Sequence, residues 1–348
     1  MATQALTDIS TALSIQLSPV LTKAFNRISV LAGLAPKTNG RGQNCAWVVQ
    51  FTGATAATFA EGADVSAYNQ DASVYANLGW GQYRSSFGVS GLEQAAAQSS
   101  ANSPAELMRI IMDNANNAME ALAFKMDLDM FSGTGSNSII GLDTALAATG
   151  SYAGISKATY TEWAGNVLGN GGTARELTKG LMDQLEAACF DASGQSPNVI
   201  VASSAVCRKY EGLFDSITRV NLVQNTDLAV NRADLSSLSV SSTNGFTGYS
   251  YKGMPVYRAR NATAGTMYML NSDMFELQTL PQGVVNTSAQ SQDAGLVAGA
   301  ARLPVGLNVR VEAMAKTGDA DKFTVKVYPQ LKVTRTNGHG ILQDISIA

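Results

Sequence analysis

One uninterrupted helical pattern, between Ser103 and Phe131, constrains this chain more than any other segment. Ser103, Pro104 and Glu106 provide an N-cap, a first-turn proline and a capping-box partner. At the usual rise per residue, the helix would be about 40 Å long, longer than most globular helices. We therefore expect a long amphipathic helix along which the rest of a domain packs. Its predicted buried face repeats at intervals of three and four and consists of Leu107, Ile110, Ile111, Ala115, Ala118, Met119, Leu122 and Met126.

Two segments before this helix alternate with a period of two. Residues 46–51 form the first run, and residues 73–89 form a second run that we expect to be one return strand. Between them lies a long stretch of small and polar residues, including FAEGAD at 59–64. A loop of this length in a compact domain is typical of a functional projection. Two strands leading to such a tip cannot bury themselves alone, so the hairpin needs a cover from elsewhere.

An α/β lobe is predicted after the long helix. A second helix is expected to begin at Thr173 and to end at Gly194 as its C-cap. The segment NVIVASS predicts a buried strand, and SSAVCRKYEGLF predicts a short helix with a serine cap. Two further short strands are expected in YSYKGMPVYRAR and GTMYMLN. This alternation of strands and helices is typical of an α/β lobe.

The C-terminal part predicts a long antiparallel hairpin from residues 307–315 and 323–333. Pro329 predicts an edge position or a bulge in the second strand. One face is apolar and fits against the long helix. The other face is expected to be solvated, with a weak contact to nucleic acid as the alternative, because it carries Arg310, Lys316, Lys326 and Lys332. With the parts before it, this hairpin gives an α+β fold class.

The composition limits the function classes. Charged residues make up only 15% of the sequence, against about a quarter in ordinary proteins; this favours a subunit that covers itself with copies. A net charge of −3 does not provide the excess of positive charge that tight nucleic-acid binding needs. No apolar run reaches the roughly 18 residues of a membrane span, and the N-terminus lacks a signal-peptide pattern. The three cysteines are typical of reduced thiols in a cytosolic product.

Candidate catalytic groups are few. The one histidine, His339, lies in NGHG and cannot build a metal site with so few partners. A hydrolase that uses Ser203 or Ser204 with His339 is a weak alternative, since no nucleophile-elbow motif is present. The glycines of GNGGTARE lack a P-loop lysine and favour a turn. The sequence therefore predicts a protein that is not an enzyme and has no cofactor or metal. DLD, at residues 127–129, likewise lacks the glycine and glutamate of a calcium loop.

The order of parts resembles that of a known family. The segments that carry the resemblance are FAEGAD, WGQYRSSFGVSGLEQAAA, FSGTGS with IIGLDTAL, SYAGISKATYTEW, PNVIVASSAVCRKYEGL, KGMPVYRA, YMLN and QLKVTRTNGHGILQDI. Together, over about residues 40–348, they resemble the major capsid proteins of tailed bacteriophages, which have the Hong Kong 97-type shell fold. Ala153 departs from this pattern, because it stands where the family has a glycine.

The resemblance implies a domain division and a function. Hexamers and pentamers would form an icosahedral shell around double-stranded DNA, bound without sequence specificity, in a virion that is assembled in the host bacterial cytoplasm. A separate scaffolding protein and a portal would be partners, and no membrane would be. The implied parts are an N-terminal arm (1–42), an extended loop hairpin (43–92), the spine helix of a peripheral domain (93–135), an axial domain (136–285), long peripheral strands (286–335) and a C-terminal strand that returns to the axial domain (336–348).

Contacts between copies are expected at charged and aromatic residues. Glu61 or Asp64 at the loop tip would pair with Arg84 or Arg109 of an adjacent copy. Some relatives cross-link their shells through a lysine in this loop; here no lysine lies between Lys37 and Lys125, so no such bond is expected. A bacterial encapsulin, which encloses enzymes in a shell of the same fold, is the main alternative. The aromatic anchors expected at contacts between copies are Tyr152 and Trp163.

Overall fold

The computed structural model describes residues 21, 25–26, 28–52, 58, 61, 72–98, 103–213, 246–281, 307–315 and 318–347. Its helices are α1 (Val30–Leu34), α2 (Gly91–Gln98), α3 (Ser103–Ser132), α4 (Leu142–Ala145), α5 (Lys179–Ser193) and α6 (Ser204–Gly212). Its strands are β1 (Lys37–Asn39), β2 (Asn44–Thr52), β3 (Ala72–Gly79), β4 (Tyr83–Ser90), β5 (Ser151–Tyr152), β6 (Ile155–Ser156), β7 (Asn166–Leu168), β8 (Val199–Ser203), β9 (Phe246–Tyr251), β10 (Met254–Ala259), β11 (Met267–Leu270), β12 (Phe275–Thr279), β13 (Arg310–Ala313), β14 (Ala320–Val327), β15 (Pro329–Val333) and β16 (Gly340–Leu342).

The spine helix α3 confirms the strongest prediction from the sequence. It is continuous over 30 residues, and the middle and end of its predicted apolar face are buried, from Ala115 to Met126. It ends just before Gly133, whose N–H donates to Asp129 O at 2.9 Å. A Cβ at Gly133 would lie 2.1 Å from the carbonyl oxygen of Ile139. Only glycine therefore fits where the chain folds back on the helix end.

The expected single return strand is two strands in two sheets, so that prediction is wrong. β3 pairs with β2, whereas β4 pairs with β14. Between them the backbone leaves the ladder, because Gly81 N donates to Pro329 O at 3.0 Å and Gln82 N donates to Asn137 O at 2.8 Å. The strand β4 then lies along the spine helix in a three-stranded sheet of order β13–β14–β4.

The predicted C-terminal hairpin is also divided. Its second strand splits into β14 and β15, which belong to different sheets. β15 is an edge strand of a sheet of order β1–β12–β15, with Pro329 opposite Thr279; this confirms the expected edge position of Pro329. Of the first strand, only Arg310–Ala313 forms β13. The cause of the split is tertiary: between the two strands, the carbonyl of Tyr328 accepts a hydrogen bond from Leu280 N, a residue distant in sequence, at 2.9 Å.

The predicted α/β lobe is a six-stranded mixed sheet of order β7–β16–β11–β8–β10–β9, flanked by α5 and α6. The predicted strand β8 and helix α6 are confirmed, and Gly194 is the C-cap of α5 with a φ of 72°. YSYKGMPVYRAR, expected as one strand, is the hairpin of β9 and β10. The predicted helix start at Thr173 is wrong. Thr178 is the N-cap, because the preceding backbone pairs at Arg175 with the C-terminal segment around Ile345.

The described part of the N-terminal arm packs on its own subunit. Leu21, Phe25 and Leu31 are buried in the main core. Ser29 caps α1 by accepting from Ala32 N at 3.1 Å, and β1 pairs in parallel with β12. The described residues of this segment therefore pack on the core of their own subunit. Residues 1–20, most of the loop tip with Asp64, and Lys316 lie outside the described residues.

Candidate assembly surfaces

The hairpin of β2 and β3 has one anchored face and one open face. On the anchored face, the Phe51 ring stacks on Tyr160 with centroids 4.4 Å apart and meets Trp163 edge-on at 5.8 Å. On the open face, Val48 and Tyr75 stand opposite each other across the two strands. Their exposed fractions are 56% and 75%. The described part of the chain therefore leaves an apolar pair uncovered on this projection.

Tyr152 and Trp163 form the anchor beneath the hairpin. Each is 1% exposed, and their rings stack with centroids 5.9 Å apart. Trp163 Nε1 donates to Tyr152 O at 3.1 Å, and Val333 N donates to the Tyr152 hydroxyl at 3.0 Å. Burial raises the pKa of Tyr152. These two side chains were expected at contacts between copies; within one subunit they are buried and have almost no exposed surface, and a role between copies stays a prediction.

The charged members of the expected contact set are at the surface. Glu61, Arg84 and Arg109 are all exposed. Arg109 pairs with Asp113, one helical turn away, at 3.3 Å. Within the described residues Glu61 forms no ion pair with Arg84 or Arg109 of its own chain, and Asp64 lies outside those residues. The subunit alone does not bring the tip and the arginines together, so their pairing between copies stays a prediction.

Three cations align across the sheet of β13, β14 and β4. Arg310 lies opposite Lys326, and Lys326 lies opposite Arg84. Glu312 pairs with Arg310 Nε at 3.0 Å and also with Lys326 Nζ. We call Arg84, Lys326 and Arg310 the cationic row. It differs from the predicted basic face, because Lys332 lies in another sheet and pairs with Glu276 at 2.6 Å.

A cavity of about 450 Å³ opens beside Arg84, between the start of β4 and the C-terminal end of the spine helix. Its wall includes Tyr83, Lys125, Asp129 and the loop after the spine helix. Lys125 Nζ lies 2.8 Å from Asp129 Oδ1, and Tyr83 donates to Asp129 Oδ2 at 2.8 Å. Burial is the main cause that raises the pKa of Tyr83. The cavity is thus polar, with Arg84 and Lys125 as its cations.

The residues weighed for catalysis do not form a catalytic pair. His339 is fully buried, and its Nδ1 accepts from Asn271 N at 3.1 Å. Burial lowers the pKa of His339 to about 4, so the ring is neutral near pH 7. Within the described ranges, its Nε2 and the hydroxyl of Ser203 have no hydrogen-bond partner, and Ser204 is exposed. Because Ser203 and His339 are not bonded to each other, the geometry does not favour the hydrolase alternative.

The glycine-rich loop before α5 binds an anion that belongs to the chain itself. Asp344 Oδ2 accepts from Asn170 N at 2.6 Å and from Gly172 N at 3.1 Å. These two N–H groups lower the pKa of Asp344. The turn expected from GNGGTARE is therefore present, and its donors are already used.

The acidic pair in DLD is also committed to internal contacts. Asp127 accepts from Asn261 Nδ2 at 2.7 Å, whereas Asp129 contacts Tyr83 and Lys125. Among the described residues, no group of three side chains could hold a metal ion. In the same part of the chain, no helix has the length and apolar character to cross a bilayer.

The sequence profile of the family described as SU10 major capsid protein matches residues 6–346. That match covers nearly the whole chain. The chain belongs to the SU10 major capsid protein family. It is thus a phage capsid protein of the virion, as the resemblance implied. Among curated proteins, none matches this sequence significantly.

Solved structures show the fold of this capsid protein. A chain of the cyanophage A-1(L) capsid asymmetric unit is 20% identical with a TM-score of 0.62, over 91% of this chain and 92% of that one. The capsid protein of a native GTA particle is 13% identical with a TM-score of 0.54, over 91% of this chain and 90% of that one. The structure of Mycobacterium phage Bobi is 12% identical with a TM-score of 0.51, over 90% of each chain. The predicted α+β fold of the Hong Kong 97 type is confirmed.

For this capsid protein, the surfaces of interest are the open hairpin face, the cationic row and the polar cavity. Sequence reasoning identified Arg84 as a charged residue of the return strand but did not align it with Lys326 and Arg310. In each strand, the period-two pattern places the cation on the face opposite the apolar residues. The sequence carried no further signal for the row. The alignment itself depends on the pairing of β4 with β14, whose residues are far apart in the chain.

Proposed function

We propose that this capsid protein assembles as hexamers and pentamers into an icosahedral shell that encloses double-stranded DNA, and that it assembles in the host bacterial cytoplasm. The observation that carries this proposal is the open face of the β2–β3 hairpin. Val48 and Tyr75 remain largely exposed there, although the opposite face is firmly packed. Covering such a pair by an adjacent copy would stabilise assembly by about 1–3 kcal/mol per side chain, and each copy in the shell would repeat the contact.

The domain division stated from the sequence is part of the proposal. An arm (1–42), an extended loop hairpin (43–92), the spine helix (93–135), an axial domain (136–285), peripheral strands (286–335) and a returning strand (336–348) agree with a subunit whose parts reach over neighbours. A two-stranded ribbon is marginal alone, which supports a cover from another copy. Fold and assembly would then be thermodynamically linked.

Charge pairing at the loop tip is the second element of the proposal. Glu61, with Asp64, would face Arg84 or Arg109 of an adjacent copy. Each exposed pair would contribute less than about 1 kcal/mol, but the symmetry of a shell repeats it. The test is the variant Glu61→Lys, for which we expect fewer closed shells by sedimentation. Normal assembly of this variant would remove the pairing from the proposal.

Partners beyond copies of the chain are a separate scaffolding protein and a portal. Clean shells from the isolated gene would count against the scaffolding protein. No cross-link through the loop is proposed, since no lysine lies between Lys37 and Lys125; a covalent ladder of mature shells on a denaturing gel would contradict this. We propose neither enzymatic activity nor contact with a membrane, in line with a family of structural capsid proteins.

The deciding experiment is electron microscopy of the purified protein, with sedimentation of the same sample. We expect closed shells or rings of five and six subunits, with nucleic acid as the content of native particles. The double variant Val48→Ser with Tyr75→Ser should reduce assembly, whereas Ser73→Ala on the same face should not. A stable monomer under all conditions would overturn the proposal, and enzyme cargo in place of nucleic acid would favour the encapsulin alternative.

A further inference from the structure

The cationic row is an unusual feature in a protein with so few charges. Like charges directly opposite each other on adjacent strands destabilise a sheet, yet Arg310, Lys326 and Arg84 occupy three successive strands in register. Glu312 compensates Arg310 and Lys326. Arg84 is exposed and has no ion-pair partner among the described residues. Folding of the subunit alone therefore gives no reason for the third cation.

The net charge of this face is opposite to that of the whole chain. Lys322 is exposed on β14, four residues before Lys326, and so points to the same side of the sheet. The four cations Arg84, Arg310, Lys322 and Lys326 against one carboxylate, Glu312, leave a local charge of +3, whereas the chain carries −3. Such a local concentration of positive charge attracts polyanions even on an acidic protein.

We propose that the cationic row contacts the phosphate backbone of the packaged nucleic acid without reading its sequence. This inference rests on the proposed enclosure of DNA and deepens it by naming the surface. Strands lie about 4.8 Å apart, so the row spans roughly 10 Å, and a duplex presents a negative charge about every 1.7 Å along its axis. The row thus faces several phosphates at once.

The neighbours of the row fit the same partner. Ser86, at the next position along β4, is exposed, and its hydroxyl lies 3.4 Å from that of the buried Thr324 on β14. Hydroxyl groups are common donors to phosphate oxygens. Arg84 also borders the polar cavity, where Lys125 adds a further cation, itself paired with Asp129. The surface therefore offers charge and hydrogen bonds, but no base-reading element such as a helix placed for a groove.

The same row could attract the acidic loop tip of a second copy, but its surroundings favour nucleic acid. Interfaces between proteins usually contain apolar or aromatic anchors at their centre. At the next position along the three strands the side chains are Ser86, Thr324 and Glu312, and the exposed Met314 lies two residues beyond Glu312, opposite Lys322. Interfaces with nucleic acid are polar and positively charged, as this face is.

The test measures binding of unassembled subunits or capsomers to a short random-sequence DNA duplex by fluorescence anisotropy over a range of salt concentrations. The variant Arg84→Gln with Lys326→Gln removes two cations of the row. The matched control, Lys179→Gln with Arg208→Gln, removes two exposed cations of α5 and α6. For each lost phosphate contact, the slope of log affinity against log salt should fall by about 0.9, which is roughly 8-fold in affinity at about 0.1 M salt. The control should bind as the unchanged protein does.

A second variant, which is expected to strengthen DNA binding instead of weakening it, keeps the test valid if the double variant folds poorly. Glu312→Gln removes the one carboxylate that the described strands place on this face and should bind DNA more tightly, with a steeper salt slope. The inference is overturned if the row variant binds DNA as the control does, or if the unchanged protein binds no DNA. Loss of shells with unchanged DNA affinity would instead assign the row to a second copy. Failure of the unchanged protein to form shells would count against the proposed function, whatever its DNA affinity.

Discussion

Tyr83 donates its phenolic hydrogen to Asp129 Oδ2 at 2.8 Å and accepts from Ile139 N at 2.9 Å. This hydroxyl joins β4, the spine helix and the loop that follows the helix. It also fixes the register of β4 along the helix, and the next residue, Arg84, is thereby placed on the exposed face. A buried hydrogen bond inside the subunit thus positions one cation of the proposed DNA-binding surface.

Removal of this hydroxyl should destabilise the subunit. In Tyr83→Phe the N–H of Ile139 loses its acceptor and Asp129 loses a donor, so the free energy of unfolding should fall by about 2–3 kcal/mol. Urea unfolding of unassembled subunits measures this change. Tyr75→Phe is the matched control, since Tyr75 is exposed, and it should change the stability by less than about 0.5 kcal/mol. Equal stability of the two variants would contradict the role of the Tyr83 bridge.

Two glycine substitutions should have opposite effects. Gly133→Ala places a methyl group 2.1 Å from a backbone oxygen and should destabilise the fold by more than about 2 kcal/mol, because backbone cannot move aside cheaply. Gly180→Ala lies in the first turn of α5, where the new Cβ would meet only Thr178 Oγ1, at 4.0 Å. It should stabilise by about 0.5–1 kcal/mol. Thermal unfolding of both variants tests this, and a shift of the same sign would refute it.

Acid should weaken the subunit partly through His339. The unfolded histidine takes up a proton below its ordinary pKa of 6.5, whereas the buried ring stays neutral down to about 4. The unfolded state therefore binds more protons in this window, and stability falls as the pH drops from 6.5 to about 4, by up to about 3 kcal/mol. His339→Asn keeps an acceptor for Asn271 N but does not titrate. The stability gap between the two proteins should narrow by that amount on acidification, and parallel pH curves would contradict it.

Lys157 should stabilise the C-terminal end of α4 and the residues just after it. Its Nζ donates to the carbonyls of Thr144, Ala145 and Ala147 at 3.1, 2.9 and 2.7 Å. Lys157→Met keeps the aliphatic stem but leaves these acceptors without their donor, so the free energy of unfolding should fall by about 3 kcal/mol. Lys179→Met, on the exposed start of α5, is the control and should have little effect in urea unfolding. Unchanged stability of Lys157→Met would show that water replaces the ammonium group.

Local patterns predicted the elements well where the chain's own neighbours decide the structure. The spine helix, strand β8 and the glycine cap at Gly194 were found because periodicity and capping act within a few residues. The helix start at Thr173 failed, since a threonine at residue 178 could cap as well and pairing of Arg175 with a distant segment selected it. The environment of Tyr152 and Trp163 depends on distant segments in the same way: aromatic residues are common at interfaces, but in the subunit the hairpin of the same chain covers these two.

By itself, the sequence determined the α+β class, the long helix, the period-two strands and, through resemblance, the capsid family, because these depend on short-range periodicity and on the order of segments. Tertiary structure alone decided which strands pair. It divided the return strand between two sheets, placed Lys332 beside Glu276, and aligned Arg84 with Lys326 and Arg310. Strand partners are selected by packing and hydrogen bonding between residues hundreds of positions apart, and a period of two gives the face of a side chain but not its neighbour across the sheet.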